Sequence, residues 1–235
     1  MAFNNQGYAI FATPELEDRV LAEFAKLPLD IYTGGKQRYR KFSQFKLTHD
    51  NQNWGIKKLP HRPFIQAKNY NGVVGGQPRY FKPIEFDPAP QVIAGVEVAE
   101  FDKSKEFQLN VHQVRVITNS VINGVTVPEG PHRDGHLYVM NIVIKRQNIA
   151  GGVSQLMPIG GGVPFFERTL LPNEAIIFKD ADMWHNATNI APIDKETGYR
   201  DILIITFNEW EFRRYGDDFE KNMGLIPSEL TFQNE

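Results

Sequence analysis

The sequence predicts a mainly β protein, an antiparallel sandwich or barrel with helices flanking it. Three observations carry that prediction. From about residue 91 onward, β-rich runs alternate with Gly, Pro and Asn: "VHQVRVIT", "LYVMNIVIK", "GGVSQLMPI", "PFFERTLL", "EAIIFK" and "DILIITFN". Ahead of them, one segment shows clear helical periodicity. No repeat, low-complexity tract or flexible linker interrupts the chain, so 1–235 reads as one domain, with an N-terminal arm over 1–90 on a β core over 91–235.

The helical segment is "TPELEDRVLAEFAKLP", residues 13–28, with Thr13 as N-cap, Pro14 at the first helical position and acids in the first turn. Its apolar positions Leu16, Val20, Leu21, Phe24 and Leu27 recur at helical spacing, as expected of a helix packed on a sheet. Residues 31–90 are polar and rich in Gly and Pro. Within them "GGKQRYRKFSQF" reads as a solvated basic patch, and "NYNGVVGGQPRYF" as turns between short edge strands. Further on, "PIGGGVPFF" has the Gly-rich centre of a hairpin, and 188–199 reads as an exposed loop or a lid.

Composition narrows the function. The 28 acids and 26 bases leave a net charge of -2, so no bulk field draws the chain to nucleic acid or to an anionic membrane. With no cysteine, disulfides, thiolate metal sites and cysteine nucleophiles are excluded, and any metal must be held by His, Asp, Glu or backbone. The start "MAFNNQGYAI" lacks a basic, then apolar leader, and the longest apolar runs, such as "ILII", are strand-sized. The expectation is a cytoplasmic protein acting on a small molecule.

The chemistry concentrates in "EGPHRDGHLYVMNIVIK". His132 and Asp134 stand at i and i+2 and share a face of an extended segment, where an imidazole and a carboxylate can take adjacent positions on a metal. They need a third ligand. His185, in "WHNAT", lies far enough downstream for several strands to bring it back alongside. Two histidines and one carboxylate leave open positions, which points to non-haem Fe(II) rather than a closed structural zinc. His136 is then a neighbour rather than a ligand.

Arg200 begins "RDILIITFN" and alternates with Ile202, Ile204, Thr206 and Asn208 on one face. A guanidinium heading an inward row needs an anionic partner, either an internal acid or a ligand carboxylate. The distal carboxylate of 2-oxoglutarate suits it, with Tyr138 and Thr206 as further contacts. In "VHQVRVITN" the apolar face of Val114 and Val116 is assigned to the helices. Gln113 and Arg115 then face the barrel mouth, with Arg115 as candidate for a substrate carboxylate and Trp184 as a wall.

"PHRDGH", then "WHNAT", then "YRDILIITF" resembles the ordered HxD…H…R set of the Fe(II)/2-oxoglutarate dioxygenases. "LPNEAIIFKDADMWH" is similar to the strand leading into that family's second histidine. The length, "NIAGGVSQL" and the N-terminal arm are most similar to the bacterial L-isoleucine 4-hydroxylase branch, which hydroxylates or sulfoxidises free aliphatic amino acids. The resemblance covers most of the chain. It implies a double-stranded β-helix, or jelly roll, with Fe(II), 2-oxoglutarate and O2. It places the metal on His132, Asp134 and His185, and 2-oxoglutarate on Arg200. Two other readings are a cupin-like isomerase or hydrolase and a non-catalytic, stress- or biofilm-related barrel that binds a metabolite. The first wants a further histidine ligand, and intact ligands speak against the second.

Overall fold

A seven-stranded antiparallel sheet with apolar residues on both faces organises the chain. The computed structural model describes residues 3–224; the ends of the expected single domain, 1–2 and 225–235, lie outside the described residues. In chain order the elements are α1 (Phe3–Gln6), β1 (Tyr8–Ala12), α2 (Asp18–Glu23), β2 (Arg38–His49), β3 (Trp54–Lys58), α3 (Ala89–Val98), β4 (Phe107–Thr118), β5 (Tyr138–Gln147), β6 (Ile149–Gly151), β7 (Ser154–Met157), β8 (Phe166–Arg168), β9 (Glu174–Lys179), β10 (Trp184–Ala187), β11 (Ile190–Pro192), β12 (Gly198–Glu209) and α4 (Asp217–Asn222).

The large sheet runs in the order β1, β9, β5, β12, β4, β2, β3. Opposite it lie the three-stranded sheet β10, β7, β8 and the pair β11, β6. Between the two layers pack Val114, Val116, Val143, Leu156, Phe178 and Ile190. This is the jelly roll expected from the sequence. On the other face, α2, the turn after it and α3 press Val20, Phe24, Val92 and Val96 against Leu109, Val111, Met140, Ile142 and Phe207. Each such buried side chain contributes roughly 1.5–3 kcal/mol of transfer free energy. β7 and β8 form the expected hairpin around the Gly-rich turn. No described helix is long and apolar enough to cross a membrane.

Four expectations are corrected. The helix expected over 13–28 shrinks to Asp18–Glu23, followed by a 3₁₀ turn at Phe24–Lys26. The backbone N–H and hydroxyl of Thr13 both donate to the carbonyl of Asn173, at 2.8 and 3.3 Å, so Thr13 caps nothing. α3 was hidden because "QVIAGVEV" is rich in β-branched residues. Its buried positions Gln91, Val92, Gly95 and Val96 nevertheless follow helical spacing, with Pro90 in the first turn.

The "GGKQRYRKFSQF" stretch is no solvated patch. It opens β2, an interior strand paired with both β4 and β3, and Arg38, Arg40 and Lys41 are buried. The N-terminal 90 residues therefore supply part of the main sheet as well as irregular segments. Within 188–199, residues Ile190–Pro192 form β11 against β6, and Ile190 is buried between the sheets, so the stretch is not a free loop.

Gly95 sits where α3 crosses the sheet, and an added Cβ would lie 2.5 Å from the sulfur of Met140. Gly95→Val is expected to cost about 1–3 kcal/mol by overpacking. A fall in the urea midpoint with an unchanged denaturant slope would show it. An unchanged midpoint would mean that the helix can step back freely.

Candidate metal centre and its pocket

His132 and His185 come from segments remote in sequence, and an isolated antiparallel bridge joins them. His132 N–H donates to the His185 carbonyl at 3.1 Å, and His185 N–H returns the bond at 2.9 Å. Direct cross-strand partners point their side chains the same way, which brings the ring centroids to 4.4 Å. Asp134 faces both rings, its Oδ1 3.5 Å from His132 Nε2 and its Oδ2 3.6 Å from His185 Nε2. One donor atom from each of the three lies within 4.8 Å of the others. Two imidazole nitrogens and one carboxylate oxygen, all on one side of a gap of that size, suit a first-row divalent cation with open positions.

The surroundings hold these groups in place. His132 Nδ1 donates to the Gly130 carbonyl at 2.8 Å, which leaves Nε2 directed at Asp134. The turn after His132 wraps around the buried carboxylate of Asp180, which accepts the N–H groups of Asp134, Gly135 and His136 at 3.1, 2.6 and 3.0 Å. The same carboxylate stands 3.6 Å from His185 Nδ1. Gly135 has φ +76°, and a Cβ there would run into the ring of Tyr70. Glycine is thus required at the tightest point of the ligand turn.

The side chains of this cluster shift one another's titration. Burial works against the His132 imidazolium, but the hydrogen bond and charge of Asp134 outweigh it and raise its pKa to about 9. Burial and the neighbouring His132 push His185 down to about 3. Despite its own burial, Asp134 is held well below the usual carboxylate range by its histidine neighbours. Burial and the charge of Asp134 lift Asp180 to about 6. His136 lies beside the triad without joining it: it is buried, lowered to about 3, and its Nδ1 accepts from Asn208 Nδ2 at 2.9 Å.

The triad opens into a cleft between the sheets. Its apolar wall comes from Val116, Ile202 and Ile204. Arg200 projects into it, 3% exposed, with no hydrogen bond and no acid within ion-pair distance among the described residues. Burial, then the charges of Arg146 and Arg38, lower its pKa to about 10, which still leaves it cationic at neutral pH. The internal salt bridge that would have explained this residue away is absent among the described residues. The arrangement fits a ligand carboxylate, so the donor set and the unpaired guanidinium together suit Fe(II) and 2-oxoglutarate.

Other expected site residues fall elsewhere. Arg115 lies on the opposite face of β4, bound to Asp201 through two contacts of 2.6 and 2.7 Å and stacked 4.0 Å over Tyr199. Gln113 shares that outer face, beside α2. Tyr138 packs against Phe3 and Phe101 on the helix side. Trp184 does not line the cleft and lies instead near Gly161 of the β7–β8 turn. Arg115, Gln113 and Tyr138 share one cause. The central strands are apolar on both faces, so alternation alone does not say which face meets the pocket. Thr206 does line the cleft, but it is six residues beyond Arg200 on β12, roughly 20 Å along the strand. Its hydroxyl accepts from Asn110 Nδ2 at 3.1 Å.

Residues that sequence reasoning missed come largely from 31–90. Arg38 and Arg40 reach the cleft from β2, and Gln66, Asn71 and Arg79 from the irregular segment after β3. Gln66 Nε2 donates to Asp134 Oδ1 at 3.0 Å, so this segment touches the metal centre directly. The i, i+2 spacing of Arg38 and Arg40 was the available signal. Nothing in the local sequence marked Gln66 or Arg79.

Comparison with known proteins agrees with this geometry. The 2OG-Fe dioxygenase family pattern matches residues 21–206. The chain is 25% identical over 198 residues to an L-isoleucine-4-hydroxylase of Bacillus thuringiensis, covering 79% of this chain and 80% of that one. The crystal structure of a bsmA homolog from Methylobium petroleophilum PM1 superposes with a TM-score of 0.75 at 25% identity, over 88% of this chain and 90% of the other. That of IDO from Bacillus thuringiensis gives 0.68 at 20%, over 88% and 96%, and shares the fold. With its matched pattern spanning most of the chain, the protein belongs to the 2OG-Fe dioxygenase family, whose reaction uses Fe(II), 2-oxoglutarate and O2.

Proposed function

We propose that this dioxygenase oxidises a free aliphatic L-amino acid, by hydroxylation or sulfoxidation, with His132, Asp134 and His185 as the Fe(II) ligands and Arg200 holding the distal carboxylate of 2-oxoglutarate. The observation that carries the residue assignment is the pairing of an open His-Asp-His set with a buried, unpartnered guanidinium in one cleft. The amino acid substrate is supported by the L-isoleucine-4-hydroxylase relative and by a cleft that combines polar ends with an aliphatic wall.

When bound, Fe(II) supplies the O2-dependent chemistry that decarboxylates 2-oxoglutarate to succinate and CO2 and places one oxygen atom on the substrate. The chain's own residues position and exclude. Asp180 fixes the turn that aims Asp134, the bridge between His132 and His185 sets their spacing, and Ile202 and Ile204 keep water from the space between Arg200 and the triad. The described parts of the N-terminal arm and of the β core act as one unit in this reading, because Gln66 from the first supports Asp134 from the second.

Incubation of the purified chain with Fe(II), ascorbate, 2-oxoglutarate and a panel of L-amino acids tests the proposal. The expected result is succinate formed in step with a product heavier by one oxygen atom, from leucine, isoleucine or methionine. Binding of 2-oxoglutarate without oxidation of any amino acid would discard the substrate class. Absence of 2-oxoglutarate binding would discard the assignment of Arg200.

A further inference from the structure

The cleft holds a second buried guanidinium without an acidic partner. Arg79 is 2% exposed, and no carboxylate lies within ion-pair distance of it among the described residues. Its backbone is fixed by pairing with Phe64, with both bonds at 2.9 Å, and its guanidinium lies 4.5 Å from the centre of the Phe64 ring. Nη2 donates to Gln66 Oε1 at 3.2 Å, while Nε is buried with no hydrogen-bond partner. Arg40, close by, differs in having Asp30 at 3.2 Å. Asp30, Glu129 and Asp134 act on Arg79 only from beyond ion-pair distance, and a buried cation with no direct anionic contact is costly to fold around, so its place in a ligand cleft points to a ligand anion. Bound 2-oxoglutarate is already accounted for at Arg200.

A carboxylate belongs to the same frame. Glu129 lines the cleft, and Asn71 Nδ2 donates both to Glu129 Oε1 at 3.0 Å and to Gln66 Oε1 at 3.2 Å. Gln66 in turn donates to Asp134. A single amide network thus sets Arg79 and Glu129 at fixed positions relative to a proposed metal ligand. The two opposite charges face one cleft yet do not pair with each other within 4.0 Å.

We infer that Arg79 and Glu129 form the substrate's polar station, Arg79 taking an α-carboxylate and Glu129 the adjacent ammonium. An α-amino acid zwitterion carries its ammonium and its carboxylate on the same carbon and can bridge a guanidinium and a carboxylate that do not meet directly. The station selects free α-amino acids over peptides, amides and deaminated acids. Because Gln66 joins it to Asp134, it also fixes how far along the side chain oxidation occurs. This rests on the amino acid reading above and deepens it.

The test is calorimetric, on anaerobic protein loaded with Fe(II) and 2-oxoglutarate. The probes are L-leucine, L-isoleucine and L-methionine, each with its amide and its deaminated acid. The wild type is expected to bind at least one amino acid and to bind its two analogues at least about 30-fold more weakly, as expected when a buried charged group loses its partner. Arg79→Met is expected to lose the amino acid by a similar factor while binding 2-oxoglutarate like the wild type, which shows that it is folded. Glu129→Gln is expected to erase most of the preference for the amino acid over its deaminated acid. Unchanged amino acid binding in Arg79→Met, or an unchanged preference in Glu129→Gln, overturns the station alone. If Arg79→Met loses 2-oxoglutarate binding too, Glu129→Gln decides by itself. Binding of none of the probes by the wild type overturns the amino acid reading and the station with it.

Discussion

Asp134→Ala is expected to abolish Fe(II) binding, and succinate formation with it. Asp134 is the sole carboxylate among the proposed ligands, and its two oxygens face His132 and His185 at 3.5 and 3.6 Å. Removing it takes away the negative charge that offsets the cation and leaves the two histidines with no third donor at the right distance. The loss is expected to exceed the roughly 10- to 100-fold that outer-sphere partners cost. Asp180→Asn supplies the internal comparison. Its carboxylate accepts from three consecutive N–H groups of the ligand turn, and an amide cannot accept them all as well. It is expected to fall in that 10- to 100-fold range, with the ligands themselves intact. Anaerobic titration with Fe(II), or with Mn(II) as a redox-stable probe, measures both variants. Equal weakening by the two would mean that Asp134 positions the site rather than ligating.

Arg200→Met should separate function from stability. The guanidinium is 3% exposed and has no acidic partner among the described residues, so without ligand it costs folding free energy. Methionine fills similar space without charge, and the flexible thioether adapts to the gap. The expected result is unfolding stability equal to the wild type or higher, together with a loss of roughly 2–5 kcal/mol in 2-oxoglutarate binding, the cost of leaving a buried carboxylate unpaired. Urea unfolding and equilibrium binding check the two halves separately. A marked loss of stability would show that Arg200 is a structural residue after all, and undiminished 2-oxoglutarate binding would move the co-substrate's carboxylate elsewhere. Arg200→Lys is expected to recover only part of the binding, since an ammonium cannot present the planar fork.

The chemistry was legible because it depends on residue types at short spacing. An HxD pair, a later histidine before a strand and an arginine at the head of another strand name their donors without any fold. With no cysteine present, few other metal sites were possible. The β-rich pattern of the second half was readable for the same reason, since turn residues and β-branched runs are local signals. Residues 1–90 were harder. β2 carries Arg38, Arg40, Lys41 and Lys46, which suggested a surface, yet the strand is interior and neutralises part of that charge through Asp30, Glu23 and Glu106.

By itself, then, the sequence determined the mainly β architecture and singled out His132, Asp134, His185 and Arg200 as the candidates for the proposed site. Only the tertiary structure decided which face of each central strand meets the cleft. It placed Arg115 and Tyr138 outside and Arg38 and Arg40 within. The physical reason is that the main sheet is covered on both sides, by helices on one and by the second sheet on the other. Where both faces are buried, the alternation of polar and apolar residues loses its phase. The direction of a side chain then depends on contacts between segments that only folding brings together.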